Sequence, residues 1–205
     1  MQHPASISTR RSHRDALLEG AVHCIGQRGF ASTTARDLVA ASDTNLASIG
    51  YHYGSKDRLM AEGLFEAARR WFLPLIAEVA APGDGEPRAR LRNALTLLFD
   101  SVEEHRGLVR SYFEAVSRAD HDPALRERMA GHHHDLRQVL AAAIAGIAEE
   151  AGGEPAVAPS TIASFVGAAF DGLMVQWLLD PEGLAPRDEL LRSFEVAIAL
   201  ASPPG

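Results

Sequence analysis

Apolar side chains recur at helical spacing along most of the chain. Residues 13–28 predict an amphipathic helix that stops at Gly29, because glycine commonly ends helices. A long helix is predicted next over residues 56–80, with a kink expected at Pro74. Further helices are predicted at 88–104, 107–118, 123–151, 159–180 and 186–201. The pattern therefore predicts an all-α fold of about nine helices.

Between the first helix and the long one, residues 34–53 predict two short helices joined by a tight turn. Thr34 is suited to the N-cap of the first, since Asp37 three residues later completes a capping-box pattern. The turn is expected at residues 42–44, and Asn45 is suited to the N-cap of the second helix. This is the arrangement of a helix–turn–helix.

The second short helix carries few charges. Three of its residues are expected to anchor it to the rest of the domain: Leu46, Ile49 and Tyr53. Its outward face is expected to hold small or hydrogen-bonding side chains: Asn45, Ser48, Tyr51 and His52. An α-helix fits the major groove, where base edges offer donors and acceptors, so this segment predicts DNA binding.

The net charge of −7 argues against a nucleic-acid partner when the chain is taken as a whole. Residues 1–58, however, hold seven basic and five acidic side chains, whereas the remainder holds 13 basic and 22 acidic ones. A mildly basic N-terminal part on an acidic body fits one DNA-facing end.

The single cysteine, Cys24, lies on the apolar face of the first helix and is expected to be a buried hydrophobe in a reducing compartment.

Targeting signals are not apparent in the chain. No uninterrupted apolar run of about 18 residues occurs, and the N-terminus lacks the apolar stretch of a secretory signal. We therefore expect a cytoplasmic protein with no membrane partner. Residues 1–12 are expected to form an arm, in which Arg10 and Arg11 either stay solvated or reach DNA.

Residues 15–59 resemble the N-terminal domain of the tetracycline-repressor (TetR) family of bacterial transcription regulators. The helix stop at residues 29–30, the helix start at 33–34, the pair 37–38 and the run 51–56 fall in register with the family pattern. The resemblance implies a three-helix DNA-binding head, an all-helical effector-binding and dimerisation body, and a homodimer.

The resemblance also implies a division of the chain and a set of DNA contacts. The arm and head would comprise residues 1–57, and the body residues 58–205. The positions that match the family's DNA-contacting residues are Thr34, Arg36, Asn45, Leu46, Ala47, Ser48, Gly50, Tyr51, His52 and Lys56. Among these, Lys56 is expected to hold a phosphate where the long helix begins.

Three positions depart from the family pattern. Asp43 stands where the turn usually has glycine, and Thr44 stands where valine is usual. Gly50 replaces an aromatic residue, and a helical glycine costs roughly 1 kcal/mol of helix propensity. These departures concern the DNA contacts at 43, 44 and 50 and leave the expected fold unchanged.

The body is expected to hold an effector pocket and a dimer interface. Aromatic and histidine residues on its predicted inner faces are the pocket candidates: Trp71, Phe99, Tyr112, Phe113, His132, His133 and Phe170. The last two helices carry more apolar surface than one core needs, and their interface candidates are Phe165, Ala169, Gly172, Leu173, Trp177, Leu191, Phe194 and Ile198.

The run from His132 to His134 allows three readings. Successive helical residues point about 100° apart, so the three imidazoles cannot converge on one ion. A buried histidine with a hydrogen-bond partner, a polar anchor for an effector, and a metal ligand all remain open, and no metal is assigned.

The expected function is that of a dimeric, sequence-specific DNA-binding regulator. It would act as a repressor that a small-molecule effector releases from a palindromic operator. One alternative is a helical small-molecule-binding protein or enzyme with no DNA role, and another is a head that binds a protein. The chain has no Glu-x-x-His pair, Gly-x-Ser-x-Gly elbow or Walker loop, so neither enzymatic activity nor a cofactor is expected.

Overall fold

The structure is a computed structural model that describes residues 12–80, 87–150, 152, 157–186, 188–190 and 192–193. Within these ranges the secondary structure is helical, and no strand occurs among them. Eight helices are defined: α1 (His13–Arg28), α2 (Ala35–Ser42), α3 (Leu46–Tyr53), α4 (Lys56–Ala80), α5 (Pro87–Ser101), α6 (Arg106–Ala119), α7 (Pro123–Glu150) and α8 (Pro159–Leu179). The all-α prediction is confirmed.

The N-terminal head consists of α1, α2 and α3 packed against the first turns of α4. Their apolar faces meet in one core, whose fully buried residues include Leu17, Ala21, Ile25, Phe30, Leu38, Leu59 and Met60. Cys24 is buried in this core, as predicted. Burial of these side chains holds the short α2 and α3 in place, since helices of eight residues are not stable alone in water.

Helix α4 continues from the head into the body without interruption. It spans 25 residues and remains helical through Pro74, so the proline does not break it. On its body side α4 packs against α5 and α7, and on its head side against α1 and α3. A displacement of α4 therefore shifts packing contacts in both the head and the body.

Helix α6 gives the body a second, direct contact with the head. The hydroxyl of Ser111 donates to the carbonyl of Ile25 at 3.3 Å, and the amide of Ala31 donates to Glu114 Oε2 at 2.8 Å. Gly107 lies so close to Gly26 that a Cβ at position 107 would be 2.2 Å from the Gly26 carbonyl oxygen. The backbones of α1 and α6 thus touch where glycines allow it.

One predicted helix boundary needs correction, and another lies mostly outside the described residues. Helix α5 ends at Ser101 instead of residue 104, because the amide of His105 turns back to the carbonyls of Ser101 and Val102 at 3.2 and 3.1 Å. For the last predicted helix, 186–201, the structure describes helical residues only at 188–190 and 192–193.

Helix α8 has an unusually apolar surface. By length and composition alone it could cross a membrane, with a mean hydropathy of 1.5, although only 11% of that stretch is buried inside the protomer. Helix α8 contains Asp171 and several small polar residues, so a count of uninterrupted apolar runs along the sequence did not single out this helix. Apolar surface that one protomer leaves uncovered is also the property of a dimer interface.

Candidate DNA interface and effector site

The N-terminus of α2 is held by the predicted capping box. The Thr34 hydroxyl accepts from the Asp37 amide at 3.2 Å, and the Thr34 amide donates to Asp37 Oδ2 at 2.9 Å. The Thr34 hydroxyl also donates to Asp37 Oδ2 at 2.7 Å, and this bond, together with that from the Thr34 amide, lowers the pKa of Asp37; Arg28 at 3.3 Å adds to the effect. Thr34 and Arg36 are exposed, so both can still reach a phosphate.

The turn and the start of α3 follow the prediction. Asp43 adopts the left-handed conformation with φ 50° and ψ 45°, so it replaces the usual glycine without breaking the turn. Asn45 caps α3 by accepting from the Ser48 amide at 3.0 Å. The geometry of a helix–turn–helix is therefore intact despite the departure at position 43.

The rotation of α3 about its axis differs from the expectation. Ser48 is only 8% exposed, and its hydroxyl interacts with Asn45 Oδ1 and with His13 Nδ1, both at 3.2 Å. Leu46, expected to anchor the helix, is instead 54% exposed. Both expectations were wrong, because packing of Ile49 and Tyr53 on the head core fixes the helix orientation and turns Leu46 outward.

The outer face of α3 is therefore formed by residues 46, 47, 50 and 51. Tyr51 is 86% exposed, and an added Cβ at Gly50 would meet nothing within 4 Å. His52 is half-buried and packs edge-on against the Tyr51 ring at 4.8 Å. This face presents a phenol, an aliphatic side chain and bare backbone, without a charge.

Lys56 begins α4 and is already engaged within the head. Its ammonium donates to the carbonyl of Thr33 at 2.9 Å and lies 3.5 Å from Asp57 Oδ1. The side chain thereby ties the start of α4 to the start of α2. Its predicted phosphate contact would add to this bond or replace it.

An aromatic cluster fills the body between α4 and α8. Trp71 stacks on Phe72 at 4.7 Å and on His105 at 4.4 Å, while Phe170 meets both Trp71 and Phe72 edge-on. The Trp71 indole donates to Ser101 Oγ at 2.8 Å. The edge and faces of these rings form an apolar wall.

A half-buried polar chain joins α6, α7 and α8. Tyr112 Oη lies 2.7 Å from His133 Nε2 and donates to Asp171 Oδ2 at 3.4 Å. A phenol has one proton, so a donor role toward Asp171 requires His133 Nε2–H to donate to Tyr112. Burial raises the pKa of Asp171, with His133 and Tyr112 acting in the opposite direction, and burial likewise raises the pKa of Tyr112.

Six of the seven pocket candidates take part either in the aromatic cluster or in the contacts around Tyr112. Phe113 meets Tyr112 edge-on at 5.1 Å, and His132 stacks on Phe65 at 4.5 Å. Burial lowers the pKa of His132, and the neighbouring His133 lowers it further. Phe99 is half-buried, and in the described part of the chain it takes part in none of these ring contacts.

Sequence reasoning missed Asp171, Phe72 and His105. Asp171 could have been found, since it is the only charged residue in the 21-residue apolar helix α8. A lone carboxylate in such a helix is costly unless a partner or a ligand compensates it. His105 gave no comparable signal because it follows α5 in a turn. Within the described ranges, no group of three or more His, Cys, Asp and Glu side chains could hold a metal ion.

The dimer candidates divide between two faces of α8. Leu173 and Trp177 pack on the protomer's own core, and Arg106 lies over the Trp177 ring at 4.9 Å. Phe165 is 65% exposed and Gly172 is exposed, whereas Ala169 is half-buried. The side chains of three further candidates lie outside the described residues: Leu191, Phe194 and Ile198.

A capped helix–turn–helix with an exposed, uncharged reading face, joined to an all-helical body, defines the class of DNA-binding transcriptional regulators. Residues 17–62 match the family model of bacterial regulatory proteins of the tetR family, and residues 87–198 match that of the BetI-type transcriptional repressor C-terminal domain. The second match alone covers more than half of the chain, which therefore belongs to the TetR family of bacterial transcriptional regulators.

Relatives of similar sequence are also named as transcriptional regulators. The HTH-type transcriptional regulator BetI of Paraburkholderia phymatum is 26% identical over 179 residues, which are 84% of this chain and 85% of that protein. The BetI protein of Burkholderia mallei is 23% identical over 197 residues, covering 96% and 97% of the two chains.

Solved structures share the fold. A regulator from Saccharomonospora viridis in complex with choline matches with a TM-score of 0.64 and 22% identity over 91% of this chain and 95% of that one. The multidrug binding protein EbrR complexed with proflavin matches with a TM-score of 0.60 and 25% identity, over 89% and 96%. The chain is accordingly a DNA-binding transcriptional regulator of this family.

Proposed function

We propose that this regulator binds a palindromic operator through α2 and α3 and leaves it when an organic cation enters the body. The observation that carries the DNA part is the outer face of α3, which offers Leu46, Ala47, Gly50 and Tyr51 to solvent. Without charge, this face reads base edges by shape, by thymine methyl contacts and by the Tyr51 hydroxyl.

Phosphate contacts flank this reading face. Thr34 and Arg36 lie exposed at the N-terminus of α2, and the helix dipole there favours an anion. His52 in the last turn of α3 and Lys56 at the start of α4 extend the contact surface. Ser48 supports the helix through its bonds to Asn45 and so acts on DNA only indirectly.

The dimer interface is proposed to lie on the open face of α8. Exposed residues recur along it with alternating spacings of three and four, the period of a helix that packs on a partner helix: Phe165, Ala168, Gly172, Val175 and Leu179. In a dimer the two heads present their α3 helices to half-sites about one helical turn, or a multiple of it, apart.

Gly172 offers a clean test of this interface. An added side chain at Gly172 meets nothing within 4 Å in the protomer, so Gly172→Glu should leave the fold intact and give monomers. Gly131→Glu on α7 is a matched control, because position 131 is also open. If light scattering shows that Gly172→Glu is still a dimer, the interface does not lie on this face of α8.

The effector class is proposed from Asp171 and the rings beside it. A half-buried carboxylate with a raised pKa is stabilised in its ionised form by a cation, and aromatic rings such as that of Phe170, the neighbour of Asp171 in the chain, attract cations as well. A neighbour of the same fold was solved with choline, a quaternary ammonium compound.

Helix α6 is proposed to couple the effector site to the head. Its Tyr112 interacts with His133 and Asp171, while the adjacent Ser111 and the nearby Glu114 bond to α1 and the loop after it. A cation that draws Asp171 away from Tyr112 changes how α6 sits on α1. For release, the cation must bind this second arrangement more tightly than the DNA-bound one.

The boundary between head and body remains part of the proposal. A division at residues 57 and 58 assigns α4 to the body, although Leu59, Met60 and Leu64 complete the core of the head. Helix α4 therefore serves both units, and the head is not expected to fold from residues 1–57 alone.

The decisive experiment is selection of bound sequences from a random DNA pool. An inverted repeat with a fixed half-site spacing is the expected result, and failure to enrich any sequence would refute the DNA role.

The effector class is tested by titrating choline and larger organic cations against the selected DNA complex. At about 5 Å and an effective dielectric constant of about 20, a cation gains about 3 kcal/mol from the Asp171 carboxylate, or about 100-fold in affinity. Asp171→Asn should lose that factor. Equal release of wild-type and variant protein would exclude Asp171 from the effector site.

A further inference from the structure

A groove of about 330 Å³ opens beside the C-terminal end of α3. Its wall brings together side chains from the head and from the body: Arg14, Tyr51, His52, Arg58, Glu62 and Arg128. Arg128 belongs to α7, so the body reaches the side of the recognition helix. Among the family-derived contact positions, only Gly50, Tyr51 and His52 line this groove.

The three arginines of the groove are only partly neutralised. Arg14 lies over the Tyr53 ring at 5.7 Å, and in the described part of the chain neither Arg14 nor Arg58 forms an ion pair. Arg128 pairs with Glu62, yet its Nε is buried without a hydrogen-bond partner among the described atoms. Three guanidinium groups therefore face one carboxylate.

This arrangement is unfavourable without an anion. Arg58 lies in the first turn of α4, where the helix dipole disfavours a cation. Burial lowers the pKa of Arg128, and the positive charge of Arg58 lowers it further. A cluster of like charges at a helix N-terminus reduces stability unless a ligand of opposite charge compensates it.

We propose that the groove binds a phosphate group between Arg58 and Arg128, with Arg14 and His52 at its rim. Guanidinium groups bind phosphate through two parallel N–H···O bonds, which suits a site built from arginine more than from lysine. Glu62 holds Arg128 when the site is empty and competes with the phosphate for it. Because Arg128 stands on α7, phosphate binding depends on how the body sits on the head.

The phosphate has two candidate sources with the same chemistry. One is the operator backbone next to Tyr51 and His52, and this version rests on the proposed DNA-binding function. The other is a free phosphate-bearing solute that binds the protein without DNA. The two sources are separated by measuring DNA binding and free-phosphate binding independently.

The first measurement is the salt dependence of DNA affinity, with the full-length protein and the selected DNA. Arg58→Gln and Arg128→Gln should each reduce the slope of log K against log salt by about one unit. Arg137→Gln is the matched control, since it removes the same charge from α7 about 13 Å further along the helix. Glu62→Gln should strengthen binding, because it removes the competing carboxylate.

The second measurement uses inorganic phosphate alone, compared with chloride at equal ionic strength. A free-solute site predicts that phosphate raises the melting temperature of the wild-type protein and not of Arg58→Gln or Arg128→Gln. A lowered DNA salt slope without this stabilisation assigns the groove to the operator backbone. Stabilisation by phosphate with an unchanged slope assigns it to a free anion.

Unchanged slopes together with no selective stabilisation would overturn the proposal. If Arg128→Gln does not fold, the other two variants still decide the question. Arg58→Gln should reduce the salt slope of DNA binding, whereas Glu62→Gln should strengthen DNA binding. Failure of the proposed function looks different, since wild-type protein would then bind no DNA at all, and the phosphate measurement alone would decide.

Discussion

The contact between α1 and α6 can be tested with a single methyl group. In Gly107→Ala the new Cβ would lie 2.2 Å from the Gly26 carbonyl oxygen and 2.9 Å from its carbon. Both are backbone atoms, so no side chain can rotate away to make room. The two helices must instead separate, at the place where the body rests on the head.

The magnitude follows from two opposing terms. An ordinary van der Waals contact begins at 3.4 Å, so α1 and α6 must part by about 1 Å. Overpacking of this kind costs about 1–3 kcal/mol, and replacement of a helical glycine by alanine returns up to about 1 kcal/mol. The net loss of up to about 2 kcal/mol lowers the melting temperature of a protein of this size by up to about 8 °C.

Thermal unfolding followed by circular dichroism measures this loss. Gly131→Ala is the matched control, because position 131 is helical and an added Cβ there meets nothing within 4 Å. This control should melt slightly above the wild-type protein, since only the helix-propensity gain applies. A Gly107→Ala protein that melts as high as Gly131→Ala would refute the close approach of the two helices.

Three further predictions concern single residues. Thr34→Ala should lower stability by about 1 kcal/mol through loss of the capping box, measured by denaturant unfolding, while Thr34→Ser should retain it. Gly50→Ala should raise the melting temperature and yet weaken DNA binding, because its methyl group has room in the protein but occupies the reading face; unchanged affinity in fluorescence anisotropy would contradict this. Asp171→Asn should stabilise the ligand-free protein at neutral pH, because a carboxyl with a raised folded-state pKa destabilises the fold when ionised. That advantage should disappear as the pH falls through the raised pKa toward the ordinary value of 3.8, and a constant difference between the two proteins across this range would show that ionisation of Asp171 is not the cause.

Local signals predicted the head well. The caps at Thr34 and Asn45 and the end of α1 at Gly29 are interactions between residues two to four apart, so they can be read directly from the chain. The rotation of α3 could not be read in this way. Eight residues give too short a pattern to define a buried face, and packing on α1 and α4 turned Ser48 inward and Leu46 outward.

The body shows the same division between local and long-range information. Helical periodicity predicted α4, α6, α7 and α8 with boundaries within two residues. It did not predict that Asp171 would meet Tyr112, 59 positions earlier in the chain, or that Arg128 would reach the side of the recognition helix. Such pairs form because separate helices pack together, and no spacing along one helix encodes them.

The sequence by itself determined the helices, their caps and the family, because these depend on contacts within a few residues and on a motif kept in register. Only the tertiary structure decided which side chains α3 exposes, which carboxylate pairs with Tyr112, and where the body touches the head. Those features depend on the relative placement of helices, which follows from burial of many small contacts at once. Helix α3 shows both kinds of information. Local capping interactions set its ends, whereas packing on the head core set its outward face.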